Sequence, residues 1–352
     1  MRRVALPIAL LALLTAACGS SGAVGEGNVK DMVPPPKALP NSVVRIDPNT
    51  LKPTQVVPVG DAPDLVIAAG GFVWVTHHIL RDVGSADLRN AGDRTLTRVD
   101  PSTGNATVVG GGLAPCGLAA DPSGDVWVAN CFEPGSGQTA NIVRVDAKTL
   151  AFKATWPIPG GHGYYRGLAY GGGSIWVSDV SETPLKRNTV TQVDPRTGAE
   201  KATRLDRPTG ALAWSTSYGD LWINNFDTGS LTRLHAKTGA VAIVDNVATN
   251  PSFPAVAGDT VWAGDWSSPQ VERLHAVGSP RPRRIPLPVN NPSAGVWNVA
   301  AGAGFVWATT PRDGALWRIN PSTDAVTRVS MPYLPTGVTA NADEVWVTVR
   351  EK

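Results

Sequence analysis

The side chains best suited to chemistry in this chain are five histidines and three cysteines. His77 and His78 are adjacent, His162 sits in Gly160-Gly161-His162-Gly163-Tyr164-Tyr165-Arg166, and His235 and His275 stand apart. A histidine facing a carboxylate in a closed pocket can pass protons to and from a substrate. His78 and His162 are the candidates for that role; an exposed loop start is the favoured reading of His78, and for His162 the two readings are balanced. Cys116 lies seven residues before Ser123 and Cys131 seven after Gly124. This symmetry about one turn puts the two thiols on facing strands, close to directly opposite and within disulfide range. No further ligands are spaced around them for a metal.

The elements that must hold these residues are short and repeated. Tryptophan recurs inside apolar triplets: Val73-Trp74-Val75, Val126-Trp127-Val128, Ile175-Trp176-Val177, Leu221-Trp222-Ile223, Val261-Trp262-Ala263, Val306-Trp307-Ala308 and Val345-Trp346-Val347. The spacings are 53, 49, 46, 40, 45 and 39 residues. A second motif alternates with it, from Arg45-Ile46-Asp47-Pro48-Asn49-Thr50 through Arg98-Val99-Asp100-Pro101-Ser102-Thr103-Gly104 to Arg318-Ile319-Asn320-Pro321-Ser322-Thr323. His235 and His275 replace its aspartate in two copies. A period near 45 with four strands per unit predicts an all-β, seven-bladed β-propeller. The arginine motif comes first in the chain and Trp346 comes last. N- and C-terminal strands therefore share the closing blade, with residues 43–59 outermost and residues 336–349 innermost.

The Asp-Pro-x-Thr-Gly turns and Val-Trp-Val strands resemble the seven-bladed propellers of the YVTN type and of virginiamycin B lyase (streptogramin lyase), over residues 42–350. The shared motifs specify blades, so the repeated Trp and Asp residues read as packing and turn residues. Alignment of the blades on their tryptophans places Asp64, Cys116, Arg166, Thr209, Ser252, Trp297 and Thr336 at the starts of the innermost strands. His77, Asn130, Asp179, Asn225, Asp265 and Thr310 stand three residues past a tryptophan. Both sets face the mouth of the ring, beneath the longer loops at residues 77–94, 131–138 and 179–188. Asp64 and Arg166 would supply charge there, Trp297 and Trp266 apolar surface, and Asp179 and Asn225 further polar contacts.

The resemblance implies two catalytic options, and the residues support neither well. A gluconolactonase-like cation site needs several Glu, Asn and Asp at the innermost-strand starts, where only Asp64 is a strong oxygen donor, so no metal is expected. A streptogramin-lyase-like site needs His and Glu facing each other, and neither set of mouth positions supplies that pair. No cofactor motif is present. The expected function is a non-catalytic scaffold that binds a small molecule or a protein at the mouth. The alternative is a lyase or hydrolase of the streptogramin-lyase type with a rearranged His site.

The address is read from the start of the chain. Arg2 and Arg3 precede an apolar run from Val4 to Ala17, too short to span a bilayer as a helix. Leu14-Thr15-Ala16-Ala17-Cys18-Gly19 resembles the lipobox of bacterial lipoproteins, which implies cleavage after residue 17 and lipidation of Cys18. An ordinary secretory signal with an incidental cysteine is the other reading. Residues 18–41 then form a Gly/Ser/Pro-rich tether and residues 42–350 the propeller. This predicts a domain anchored by lipid to the extracytoplasmic face of a bacterial membrane, a compartment that permits the Cys116–Cys131 bridge. Loss of Arg2 and Arg3 takes the formal net charge from +2 to zero, leaving no basic field to recruit nucleic acid.

Overall fold

The computed structural model describes residues 39–77, 95–110, 112–131, 139–158, 167–178, 188–277 and 281–351. These residues form seven four-stranded antiparallel sheets. Blades 1 to 6 are continuous in sequence, at residues 63–109, 115–157, 168–204, 212–244, 251–286 and 299–330. The seventh joins two inner strands, Leu334–Ala340 and Val345–Arg350, to two outer ones from the other end of the chain, Ser42–Ile46 and Pro53–Pro58. Val44 pairs with Val347 and Arg45 with Trp346. The innermost strands neighbour one another in order, and that of the closing blade touches those of blades 6 and 1. The ring closes through both ends of the chain, as the order of the repeats predicts.

Each repeat tryptophan packs into the next blade. Trp74 lies with Leu118 and Val126 of blade 2, Trp127 with Leu168 and Ile175 of blade 3, and Trp176 with Leu221 and Ile223 of blade 4. Trp222 packs with Val261, Trp262 with Val299 and Val306, and Trp307 with Val345 and Val347. Trp346 completes the circuit against Val66 and Val73 of blade 1. All seven are at most 2% exposed. Truncating such a side chain to alanine removes about 3–5 kcal/mol.

The arginine of the second motif stands directly across the strand pair from the tryptophan in six blades, and Gln192 takes its place in blade 3. Where it reaches depends on the residue two before the tryptophan. An acid at that position turns the guanidinium inward, as in Arg144 to Asp125 at 3.0 Å, Arg233 to Asp220 at 2.6 Å and Arg45 to Glu344. Phe72, Thr260 and Phe305 offer no charge, and there Arg98, Arg273 and Arg318 donate to backbone carbonyls in the next blade's turn, at Ala147, Pro321 and Pro48. The motif's aspartate shapes that turn: Asp47 Oδ1 accepts the Asn49 and Thr50 N–H groups, both at 2.8 Å. In blade 4 the His235 ring takes over, accepting the Thr238 N–H at 3.1 Å.

Cys116 and Cys131 form a disulfide with Cα atoms 5.8 Å apart. They are not directly opposite. Cys116 occupies a bulge between Pro115 and Gly117, and Cys131 lies one residue past the strand Val126–Asn130, with its N–H bonded to the Ala114 carbonyl. The bulge offsets the two strands by a residue. Among the described residues, no helix is long and apolar enough to cross a membrane. Residues 1–38, which carry the expected leader, Cys18 and most of the tether, lie outside the described residues.

The closing blade yields a direct test. Deleting the chain through Leu51 removes the strand Ser42–Ile46, with Val43 and Val44 both fully buried, and leaves a sheet edge open. Deleting residues 19–38 removes no apolar repeat. Thermal unfolding is expected to show a large fall in the midpoint, or no cooperative transition, for the first deletion and an unchanged midpoint for the second. Equal midpoints would contradict this closure.

Candidate functional site

The mouth is built by a proline and a bulge at the start of several innermost strands. Pro63, Pro115 and Pro251 each open such a strand and Pro335 is the second residue of Leu334–Ala340, and in each the register slips immediately after the proline. Proline has no N–H to give a ladder and suits the first residue of a strand, while a bulge re-aims the side chain that follows. The residues re-aimed are Asp64, Cys116, Ser252 and Thr336, four of the seven mouth positions read from the sequence. Pro208 precedes a fifth, Thr209. The Pro-x pairing was a sequence signal for these positions that the tryptophan alignment did not use.

Four of the described residues three past a tryptophan hold the scaffold together. His77 contacts the Asp61 carbonyl through Nδ1 at 2.7 Å and the Thr97 hydroxyl through Nε2 at 2.9 Å. Asn130 Oδ1 accepts the Ala114 N–H, and Asp265 accepts the Thr249 and Asn250 N–H groups. Asn225 donates to the Pro208 carbonyl at 2.6 Å and accepts from Ser230 and Thr232. All four tie the loop entering a blade to its second strand, so the Asn225 amide has its hydrogen bonds inside its own blade.

The residue one position earlier ties blade to blade. The Thr348 hydroxyl accepts the Gly337 N–H at 2.7 Å and donates to the Asp64 carbonyl at 2.7 Å. Thr309 bridges Asn298 to Thr336 in the same way, and the Asn224 amide donates to Pro251 at 2.8 Å. A side chain at Gly337 would overlap the Asp64 carbonyl oxygen, so glycine there lets the closing blade seat against Asp64.

Asp64 is thus locked by its backbone while its side chain is left unmet. It is 1% exposed, and neither carboxylate oxygen has a hydrogen-bond partner. Burial pushes its carboxyl up to about 6, against the opposing pull of the Arg350 charge and the Trp297 indole N–H. Asp64 of blade 1 and Trp297 of blade 6 therefore meet across the closing blade. The indole N–H lies near the carboxylate but outside hydrogen-bond geometry, and it too is without a partner. Trp297 is held on its other side by aromatic rings. Trp266 lies 4.3 Å from it between ring centroids and Phe253 6.2 Å. The Ser252 hydroxyl and Asn224 Oδ1, from blades 5 and 4, are likewise buried without partners. A group in a native protein that is buried and unmet costs about 1–3 kcal/mol, more when charged.

The structure brings Asp64, Trp297 and Trp266 together. His78, His162, Arg166 and Asp179 lie outside the described residues. A cavity of about 370 Å³ opens elsewhere, lined by Pro311, Arg312, Asp313, Arg328, Met331 and Leu334 at the junction of blade 6 with the closing blade. There Asp313 is already paired with Arg328 at 3.0 Å and accepts the Asn290 and Asn291 N–H groups. Among the described residues Asp64 alone has both carboxylate oxygens buried and unmet, and it lies at the mouth, not at this cavity. No group of three metal-capable side chains occurs among the described residues.

No protein-family model matches the chain, and no curated protein matches it. Solved structures do. The chain is similar to virginiamycin B lyase from Staphylococcus aureus, with a TM-score of 0.62 at 15% identity, covering 82% of this chain and 94% of that one. It is similar to Kuenenia stuttgartiensis hydrazine synthase, with a TM-score of 0.64 at 13% identity over 82% of this chain and 92% of that one. It also matches the RRP9 WD40 repeats, with a TM-score of 0.61 at 10% identity over 82% and 94%. At such identities what the likeness shows is the fold, and that fold is the seven-bladed β-propeller.

Proposed function

We propose that the chain is a lipid-tethered, extracytoplasmic propeller that binds a ligand without chemical turnover at the mouth of its ring. The observation that carries this reading is the buried Asp64 carboxylate, without a hydrogen-bond partner beside an equally unmet Trp297 indole. Strongly perturbed groups of this kind concentrate at functional sites, because stability alone does not favour them. Trp297, Trp266 and Phe253 add an apolar wall from two neighbouring blades. Among the described residues the mouth offers no pair of groups poised for proton transfer: His77 is taken up by Asp61 and Thr97. The tether reading is supported by the leader motif that ends in Cys18 and by a disulfide compatible with an oxidising compartment.

The cost of Asp64 can be measured. Its folded-state pKa stands near 6, above the ordinary aspartate value. The folded state therefore holds its proton more tightly than the unfolded chain. Stability from this group is complete below about pH 4 and is lost as pH rises towards 6. Asp64→Asn removes the ionisation and is expected to be more stable than the wild type by about 3 kcal/mol at pH 8, the gap closing below about pH 4. Urea unfolding at both pH values checks it, and an Asn variant less stable at pH 8 would show that the carboxylate has a stabilising partner.

The anchor has a separate test. Cys18→Ala is expected to move the protein from the membrane fraction to the soluble extracytoplasmic fraction, or to leave the precursor uncleaved. A processed variant still wholly membrane-bound would contradict lipid anchoring.

A further inference from the structure

We infer that the mouth recognises a protonated organic amine, its ammonium group meeting the Asp64 carboxylate and its apolar body lying against Trp297, Trp266 and Phe253. This inference rests on the mouth being a binding site and names the chemistry of what it binds. The carboxylate is 1% exposed, can accept several hydrogen bonds and is given none by the described residues. A buried anion in that state calls for a cation or a proton. Two features select an organic cation over a metal ion. The first is the donor set. Hard cations take six or more oxygens, yet the neighbouring Thr336 hydroxyl is already held by Pro63 and Thr348, and the Thr348 hydroxyl by Asp64 and Gly337.

The second feature is the wall. An apolar wall beside the carboxylate suits an alkylammonium, which carries hydrocarbon to bury there, over a hydrated metal ion, which does not. Trp297 is 8% exposed, and its ring is braced between Trp266 and Phe253, so its orientation is set before a ligand arrives. Arg350 is the charged residue whose field reaches Asp64. It makes no ion pair with Asp64, so the carboxylate stays available.

The test is isothermal titration calorimetry of the purified full-length protein at pH 7.5 with three probes of one shape: 2-phenylethylammonium, neutral 2-phenylethanol and anionic phenylacetate. The wild type is expected to bind the ammonium probe at least tenfold more tightly than the alcohol and to reject the anion. Asp64→Asn, confirmed as folded by its thermal transition, is expected to lose at least about tenfold for the ammonium probe and with it the preference for ammonium over alcohol. Equal binding of ammonium and alcohol, or full ammonium binding by Asp64→Asn, would overturn the amine. In that event, alcohol binding abolished by Trp297→Ala would leave the mouth standing as a binding site. Failure of all three probes on the wild type would remove both readings together.

Discussion

Seven buried indoles, each set in the face of the following blade, are the contact on which everything else in this molecule depends. A single four-stranded blade has two apolar faces and cannot cover either by itself. Trp74 is covered by blade 2, Trp127 by blade 3, and so on until Trp346 is covered by blade 1. A chain of such contacts is complete only as a circle, because any open end would leave one indole and one sheet face in water. That requirement explains the shared closing blade. The strand Ser42–Ile46 pairs with Val345–Arg350 from the far end of the sequence, so the edge that would remain in a linear array is used up inside a sheet.

Polar side chains refine this arrangement according to a local rule. In the six blades that have it, the arginine opposite the tryptophan satisfies an acid two residues before that tryptophan when one is present, and otherwise reaches across to the next blade's turn. Either outcome places the guanidinium beside the aromatic residues of the hairpin, as with Arg144 over Trp127 and Arg98 over Phe72. On the opposite face the Thr348 and Thr309 hydroxyls tie successive innermost strands together. With the backbone held from both ends, the ring can carry side chains at its mouth that contribute nothing to holding it closed.

Much of this was legible in the sequence because it repeats. Apolar Val-Trp-Val triplets and Asp-Pro-x-Thr turns encode strands and turns by residue type alone, and their order at the two ends encodes the closure. The mouth was legible only as a set of positions. Asn225 and His77 have the residue types of ligand-binding groups, but what decides their work is the position of the Pro208 and Asp61 carbonyls, which belong to the incoming loop and have no signature in side-chain pattern. The meeting of Asp64 with Trp297 was equally hidden, since the two lie 233 residues apart in sequence and come from blades on either side of the closing one. The offset of Cys116 from Cys131 has the same origin: a bulge shifts register by one residue, which hairpin symmetry alone does not reveal.

Asp64 concentrates the functional argument in one atom group: a carboxylate fixed by its backbone, dried by its neighbours and left without a donor. The measurement that tests this most directly is the pH titration of its side-chain carboxyl carbon by NMR, assigned by comparison with Asp64→Asn. A midpoint near pH 6 is the result expected for an unmet, buried acid. A midpoint at or below the ordinary aspartate value of about 4 would mean that the carboxylate is hydrated or paired, and would contradict the assignment of the mouth as a site awaiting a ligand.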